Sequence, residues 1–282
     1  MSATTPFFAL NHMSAPQLSI TDFFDLAADL GVGGVEIRND LAGNAIEDGT
    51  SPVAVRQAAE ARDLRILSIN ALQRFNDWTP ERAAEAEALI AYAGACGAEA
   101  LVLVPVNDGS GRANGERQAN LRIALKALRP VLEAAGIIGL VEPLGFESCS
   151  LRSKSEAVEA IVALGAEDRF RLVHDTFHHC LAGEETLFVA HTGLVHISSV
   201  DDASISLREM RDGHRVLVGD HDRLGNAEQI SALLEGGYRG LFSFEPFSDS
   251  VHRAADPRGA LRDSMAHILE KTGIEKAARV PA

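Results

Sequence analysis

The sequence predicts an α/β fold, a closed (β/α)8 barrel of eight parallel strands, and three observations carry that prediction. Apolar runs of four to seven residues alternate with longer stretches of helical periodicity, the signature of repeated βα units. Several runs, such as Ala-Leu-Val-Leu-Val-Pro at 100–105, are apolar throughout, as strands covered on both faces must be. The 282 residues divide into eight repeats of about 35 residues, the scale of one βα unit in such a barrel.

The strands are read, in order, as Phe7–Asn11, Gly34–Arg38, Arg65–Ala71, Ala100–Val106, Ile137–Pro143, Phe170–Asp175, Leu194–Val200 and Leu241–Pro246. The helices between them have recognisable ends. Thr79-Pro80-Glu81 supplies a capping hydroxyl, a proline at the first helical position and an acid in the first turn, and Gly97 stops that helix. Gly31, Gly136, Gly165, Gly193 and Gly273 each follow a helical pattern where a left-handed residue is wanted. An open doubly wound sheet would expect a glycine-rich phosphate turn after the first strand, but Phe8 to Ser14 contains no glycine. No linker, low-complexity stretch or composition shift divides the chain, so one domain over residues 1–282 is expected.

Hydrophobic residues make up 46% of the chain and charged residues 23%, enough to bury a sizeable core. A formal charge of −14, with no Lys/Arg stripe to offset it, would repel a phosphate backbone and argues against a nucleic-acid partner. Cys96, Cys149 and Cys180 are odd in number and lack CxxC spacing, which fits a reducing compartment and makes the cytoplasm the expected location. Met1 to Phe8 lacks the pattern of a secretory signal, and no apolar window approaches the roughly 18 residues of a membrane span. Whether the chain works alone or as a homo-oligomer stays open.

Four apolar runs in the second half end in residues that bind divalent metals: Glu142, Asp175, His196 and Glu245. Side chains at the C-terminal ends of barrel strands converge on one face, where such enzymes keep their chemistry. Three carboxylates and one imidazole form a hard, mostly oxygen ligand set suited to Mn²⁺ or Mg²⁺, with Zn²⁺ or Co²⁺ also compatible. Arg38, at the end of the second strand, should face the barrel centre with Glu36, where it would orient a substrate oxygen or balance the carboxylates. The charged stretch from Asp201 to Gly225 follows the His196 strand and should lie over the metal ligands. Phe75, Trp78 and Phe146 follow strand ends and are candidates for an apolar wall around the reacting centre.

The chain resembles the xylose isomerase-like TIM barrels, the sugar isomerase and epimerase superfamily, and within it is most similar to the inosose (2-keto-myo-inositol) isomerases. The stretches that carry the resemblance are Gly34-Val-Glu-Ile-Arg38, Ser68-Ile-Asn-Ala-Leu-Gln-Arg-Phe-Asn76, His174-Asp-Thr-Phe-His178, His196-Ile197 with Asp201-Asp202, Asp222-Arg223 and Phe244-Glu245. It implies that Glu142, Asp175, His196 and Glu245 ligate one divalent ion, and that Glu142 and Glu245 are the proton-transfer pair. It also implies that His178 binds substrate, while His174 and His179 are read as structural. Several relatives carry a second acid in the loop that here holds Glu147, giving a further substrate-binding candidate. The epimerases carry an arginine six residues after the metal histidine; Asp202 stands there, which argues against a ketohexose epimerase and leaves Arg223 to supply the positive charge.

The function expected is isomerisation or epimerisation of a small polyhydroxy ketone, an inosose or ketose, through an enediolate. A dehydratase or lyase acting on a keto-cyclitol or keto-sugar is the alternative, because the same enediolate can expel a β-leaving group. A DNA-processing endonuclease of the same superfamily is disfavoured by the single ligand tetrad and the acidic charge, and a non-catalytic sugar-binding barrel by the intact tetrad.

Overall fold

The computed structural model describes residues 7–274. Strands β1 (Phe8–Asn11), β2 (Gly34–Arg38), β3 (Arg65–Gln73), β4 (Ala100–Val104), β5 (Ile138–Val141), β6 (Phe170–Asp175), β7 (Thr192–Ile197) and β8 (Phe242–Phe244) pair in sequence order, all parallel, and β1 closes the barrel against β8. Helices α1 (Ile20–Leu30), α2 (Pro52–Glu60), α3 (Pro80–Cys96), α4 (Glu116–Ala135), α5 (Lys154–Ala163), α6 (Thr176–Ala182), α7 (Asn226–Glu235), α8 (Asp249–His252) and α9 (Pro257–Thr272) lie between and after them.

The eight strands fall where the apolar runs predict, with shifted ends that have physical causes. The fourth, fifth and eighth stop before Pro105, Pro143 and Pro246, whose nitrogens have no proton to give the ladder. The seventh starts earlier and ends earlier than expected, because Ser199 leaves the barrel to pair antiparallel with Val216. Thr79 caps α3 through the amide of Arg82, and Gly97 ends it at a φ of 78°. Gly31, Gly136, Gly165 and Gly273 also take positive φ after helical segments. Gly193 does not: it lies inside β7, and α6 is stopped by Gly183 at a φ of 67°. A side chain at Gly193 would stand 2.7 Å from Leu140 Cδ2 and 2.8 Å from Arg171 Cβ, so close strand packing accounts for that glycine.

The interior is layered by the strands' period of two. A small apolar cluster of Ala9, Leu67, Ala71, Ala100, Val102, Leu140, Val173 and Leu194 is separate from the main core between sheet and helices. Moving two residues along the strands from Ala9, Leu140, Val173 and Leu194 reaches Asn11, Glu142, Asp175 and His196 on the same face. The polar groups therefore sit one layer above an apolar plug, at the C-terminal mouth. Among the described residues no helix is long and apolar enough to cross a membrane.

The loop after β5 presses on α6. A methyl at Gly145 would meet the His178 carbonyl at 2.4 Å and Leu181 Cβ at 2.5 Å, atoms that cannot yield without backbone movement. Gly145→Ala is expected to destabilise the protein by about 1–3 kcal/mol. Thermal denaturation followed by circular dichroism should show a midpoint lowered by several degrees; an unchanged midpoint would refute this packing account.

Candidate metal centre at the barrel mouth

Glu142, Asp175, His196 and Glu245 are brought together as the strand ends predict. One donor atom from each lies within 4.8 Å of the others, and all four residues are buried. Asp175 and His196 belong to β6 and β7, whereas Glu142 and Glu245 stand one residue past β5 and β8. Their amides still join the ladder, Glu142 N to Leu103 O at 3.1 Å and Glu245 N to Ile197 O at 2.9 Å, so the two glutamates are held as firmly as strand residues. Asp175 Oδ1 also caps α6 by accepting from the amides of Phe177 and His178.

His196 is the hub. Its Nδ1 faces Glu142 Oε1 at 3.0 Å, Glu245 Oε2 at 3.2 Å and Asp175 Oδ2 at 3.9 Å. Its Nε2 faces Glu36 Oε2 at 3.1 Å, and Glu36 accepts further hydrogen bonds from Ser68, Asn70 and Ser243. Burial favours a neutral ring, yet the carboxylates of Glu245, Glu36 and Glu142 outweigh it and hold the imidazole pKa well above its ordinary value.

Two buried arginines answer part of the negative charge. Arg38 Nη1 donates to Glu245 Oε1 at 2.8 Å, while its other nitrogens grip Asp40. Arg215, 1% exposed, donates through Nη2 to Asp175 Oδ2 at 2.6 Å and Glu245 Oε2 at 3.0 Å, and through Nε to Ser198. Both guanidiniums lie against the Phe247 ring, and Arg215 also against Phe177. Burial raises the Glu245 carboxyl, but His196, Arg215 and Arg38 more than reverse this and keep it ionised. Among the described residues no guanidinium pairs with Glu142; burial, with Glu245 and Asp175 adding to it, pushes its pKa up against the pull of His196.

The donor set fits a divalent cation. Glu36, Glu142, Asp175 and Glu245 bring four negative charges around His196, where Arg38 and Arg215 return two, so two remain uncompensated when the His196 ring is neutral, as a metal ligand must be. Three carboxylates and one imidazole suit a hard or borderline ion such as Mn²⁺, Mg²⁺ or Zn²⁺.

A cavity of about 340 Å³ opens above the cluster, lined among others by Arg38, Glu142, His178, Arg215, Glu245 and Phe247. His178 is buried, its enclosed Nδ1 has no hydrogen-bond partner among the described residues, and its ring packs edge-on against Phe146 and Phe177. An outer cavity of about 570 Å³ shares Asn107, Phe146 and Asp212 with the first.

Other expectations are not met. Glu147 is exposed, lines the outer cavity and faces Arg208 at 3.6 Å, away from the ligands. Arg223 is not among the cavity-lining residues; it binds the Asp202 carbonyl within its own loop. The loop does supply an arginine, but it is Arg215, positioned because Val216 pairs with Ser199 beside it. Of the proposed aromatic wall only Phe146 lines the cavity, since Phe75 is in the main core and Trp78 packs against it. Phe247, three residues past β8, takes the place at the wall, and its position two residues after Glu245 was the available signal. His174 and His179 are engaged by the buried Lys154 ammonium group at 3.0 and 2.7 Å, outside the cavity, as their structural reading requires.

The chain matches the xylose isomerase-like TIM barrel family over residues 24–271. A xylose isomerase domain containing protein from Salmonella typhimurium LT2 is 33% identical, with a TM-score of 0.87 over 96% of this chain and 99% of that one. The IOLI protein, solved with a zinc atom, is 19% identical, with a TM-score of 0.84 over 95% and 98% of the two chains. An L-ribulose 3-epimerase is 18% identical, with a TM-score of 0.75 over 99% of each. No curated protein matches the chain. The family match, spanning most of the barrel, and the Salmonella relative establish together that this chain belongs to the xylose isomerase-like TIM barrel family.

Proposed function

We propose that this protein is a divalent-metal-dependent isomerase or epimerase of a small, uncharged polyhydroxy ketone, with an inosose as the leading substrate class. The observation that carries the reading is the buried tetrad of Glu142, Asp175, His196 and Glu245 beneath a cavity of about 340 Å³. The zinc in the IOLI relative and the activity of the L-ribulose 3-epimerase support it by analogy of fold.

Bound by the tetrad, the ion would supply positive charge opposite the oxygen that becomes negative when a proton leaves the carbon beside a carbonyl. The chain's own groups do the rest. Glu142 Oε1 faces His196, while its Oε2 has no partner among the described residues and is the oxygen we assign to holding and returning the proton. Glu245, across the mouth just past β8, has both oxygens engaged by Arg38, Asn11 and Arg215, which fix its orientation and make it the weaker base of the pair. From the cavity wall the His178 ring orients a hydroxyl, and Phe146 and Phe247 keep water from the reacting carbon.

Incubating the metal-loaded protein with a panel of inososes and ketohexoses in D₂O tests the reaction class. Deuterium incorporation with otherwise unchanged mass is expected; loss of water would make it a dehydratase instead, and no exchange with any member would overturn the proposal.

Glu245→Gln and Asp175→Asn are each expected to stay folded, to bind Mn²⁺ or Zn²⁺ at least about tenfold more weakly, and to lose activity in parallel. Full activity in metal-free preparations of either variant would remove the ion from the mechanism. His178→Ala should keep its metal stoichiometry while kcat/KM falls by about 10²- to 10⁴-fold, and metal loss in that variant would make His178 a ligand.

The pH dependence follows from His196. Its raised pKa means that at neutral pH the metal-free imidazole carries a proton on Nδ1, and the ion must displace it. Affinity should therefore rise with pH, by about tenfold per unit for one proton displaced, and level off above the pKa of the metal-free ring. Titrations with Zn²⁺ or Mn²⁺ at several pH values would measure this, and an affinity flat from pH 6 to 8 would contradict it.

A further inference from the structure

We infer that Glu36 is a positioning residue for the metal centre: its carboxylate accepts a hydrogen bond from His196 Nε2–H and thereby turns the bare Nδ1 toward Glu142, Asp175 and Glu245. The inference rests on the reading of that cluster as an ion site, and adds a residue that neither the strand-end pattern nor the family resemblance singles out.

Glu36 lies two residues before Arg38 on β2, one layer deeper in the barrel. It is 0% exposed and is not among the residues lining the cavity, so it acts on substrate only through another group. Its surroundings supply donors only. Ser68 Oγ at 2.6 Å and Asn70 Nδ2 at 3.0 Å donate to Oε2, Ser243 Oγ donates to Oε1, and His196 Nε2 completes the set at 3.1 Å. Three strands contribute those donors, with Ser68 and Asn70 on β3, His196 on β7 and Ser243 on β8.

A neutral imidazole carries one N–H and one lone pair. If Nδ1 held the proton, the Nε2 lone pair would point at an acceptor-only carboxylate with no proton between them. With the proton on Nε2, Glu36 accepts it and the Nδ1 lone pair is presented to the three ligating carboxylates, an arrangement that only a cation or a second proton can satisfy. Glu36 thus selects both the tautomer and the ring orientation needed for a ligand, which is the role of a carboxylate behind a metal-bound histidine.

The test compares wild type, Glu36→Gln and Glu36→Asp in the full chain, with zinc as the probe. Glu36→Gln keeps the shape but offers an amide N–H that satisfies the opposite tautomer. It should bind zinc about 10- to 100-fold more weakly by chelator competition, while the midpoint of metal-free unfolding moves far less than loss of the fold would require. Glu36→Asp retains the negative charge and should bind zinc more tightly than Glu36→Gln. In zinc-loaded wild type, ¹⁵N-histidine NMR should show His196 protonated on Nε2 and unprotonated on Nδ1. Equal zinc affinity in wild type and Glu36→Gln, or a zinc-loaded His196 with its proton on Nδ1, would overturn the role of Glu36 and leave the ion site standing. Absence of zinc binding by wild type would instead defeat the ion site itself, and this inference with it. Should Glu36→Gln fail to fold, the wild-type spectrum and the aspartate variant still decide.

Discussion

Four buried carboxylates packed around one imidazole set the terms for the rest of this molecule. Each buried charge left unpaired would cost several kcal/mol, so the surrounding structure is organised to supply positive charge and donors. Arg38 and Arg215 cover Glu245 and Asp175, Ser68, Asn70 and Ser243 cover Glu36, and His196 stands between the two groups. With the His196 ring neutral, two negative charges remain after this compensation, the charge that a divalent cation would supply. The same residue set therefore looks unfavourable as a stability device and sensible as a binding site.

The barrel makes such a cluster possible through its layers. Small and branched apolar side chains fill the lower interior, so the mouth rests on a packed floor. Above it the period of two returns a side chain to the axis from each strand, and Glu36, His196 and Ser243 lie below Arg38 and Glu245. Because neighbouring strands fix the backbone from both sides, the donor atoms of four separate strand ends are placed to within a few ångströms. Loops alone would not hold them so closely.

The segment after β7 shows how the barrel extends this control. Pairing of Ser199 with Val216 places Arg215 against two carboxylates and two aromatic rings, and Asp222 ties the far end of the segment to Ser199 and Asn226. The outer part of the loop remains exposed and lines the approach to the cavity. Glu142 and Glu245 become chemically unequal as a result. One carboxylate is held by guanidiniums and the other is free at one oxygen among the described residues, an inequality that suits the proton-transfer roles proposed for them.

The sequence by itself determined what repeats or is local. The eight strands follow from apolar runs, the helix ends from capping hydroxyls and from glycines such as Gly31 and Gly97, and the tetrad from its register at four strand ends. The prolines at 105, 143 and 246, which shorten three strands, were visible too, but were read as part of the apolar runs. Gly193 was misread because a glycine needed for close packing resembles one needed for a left-handed turn until its neighbours are known. Tertiary structure alone decided that Arg215 reaches the carboxylates and Arg223 does not, since both sit in a charged stretch without periodicity whose path is set by distant pairing. It also decided that Glu36 meets His196 across the barrel interior, because residues 160 positions apart in the chain become neighbours only when the sheet closes.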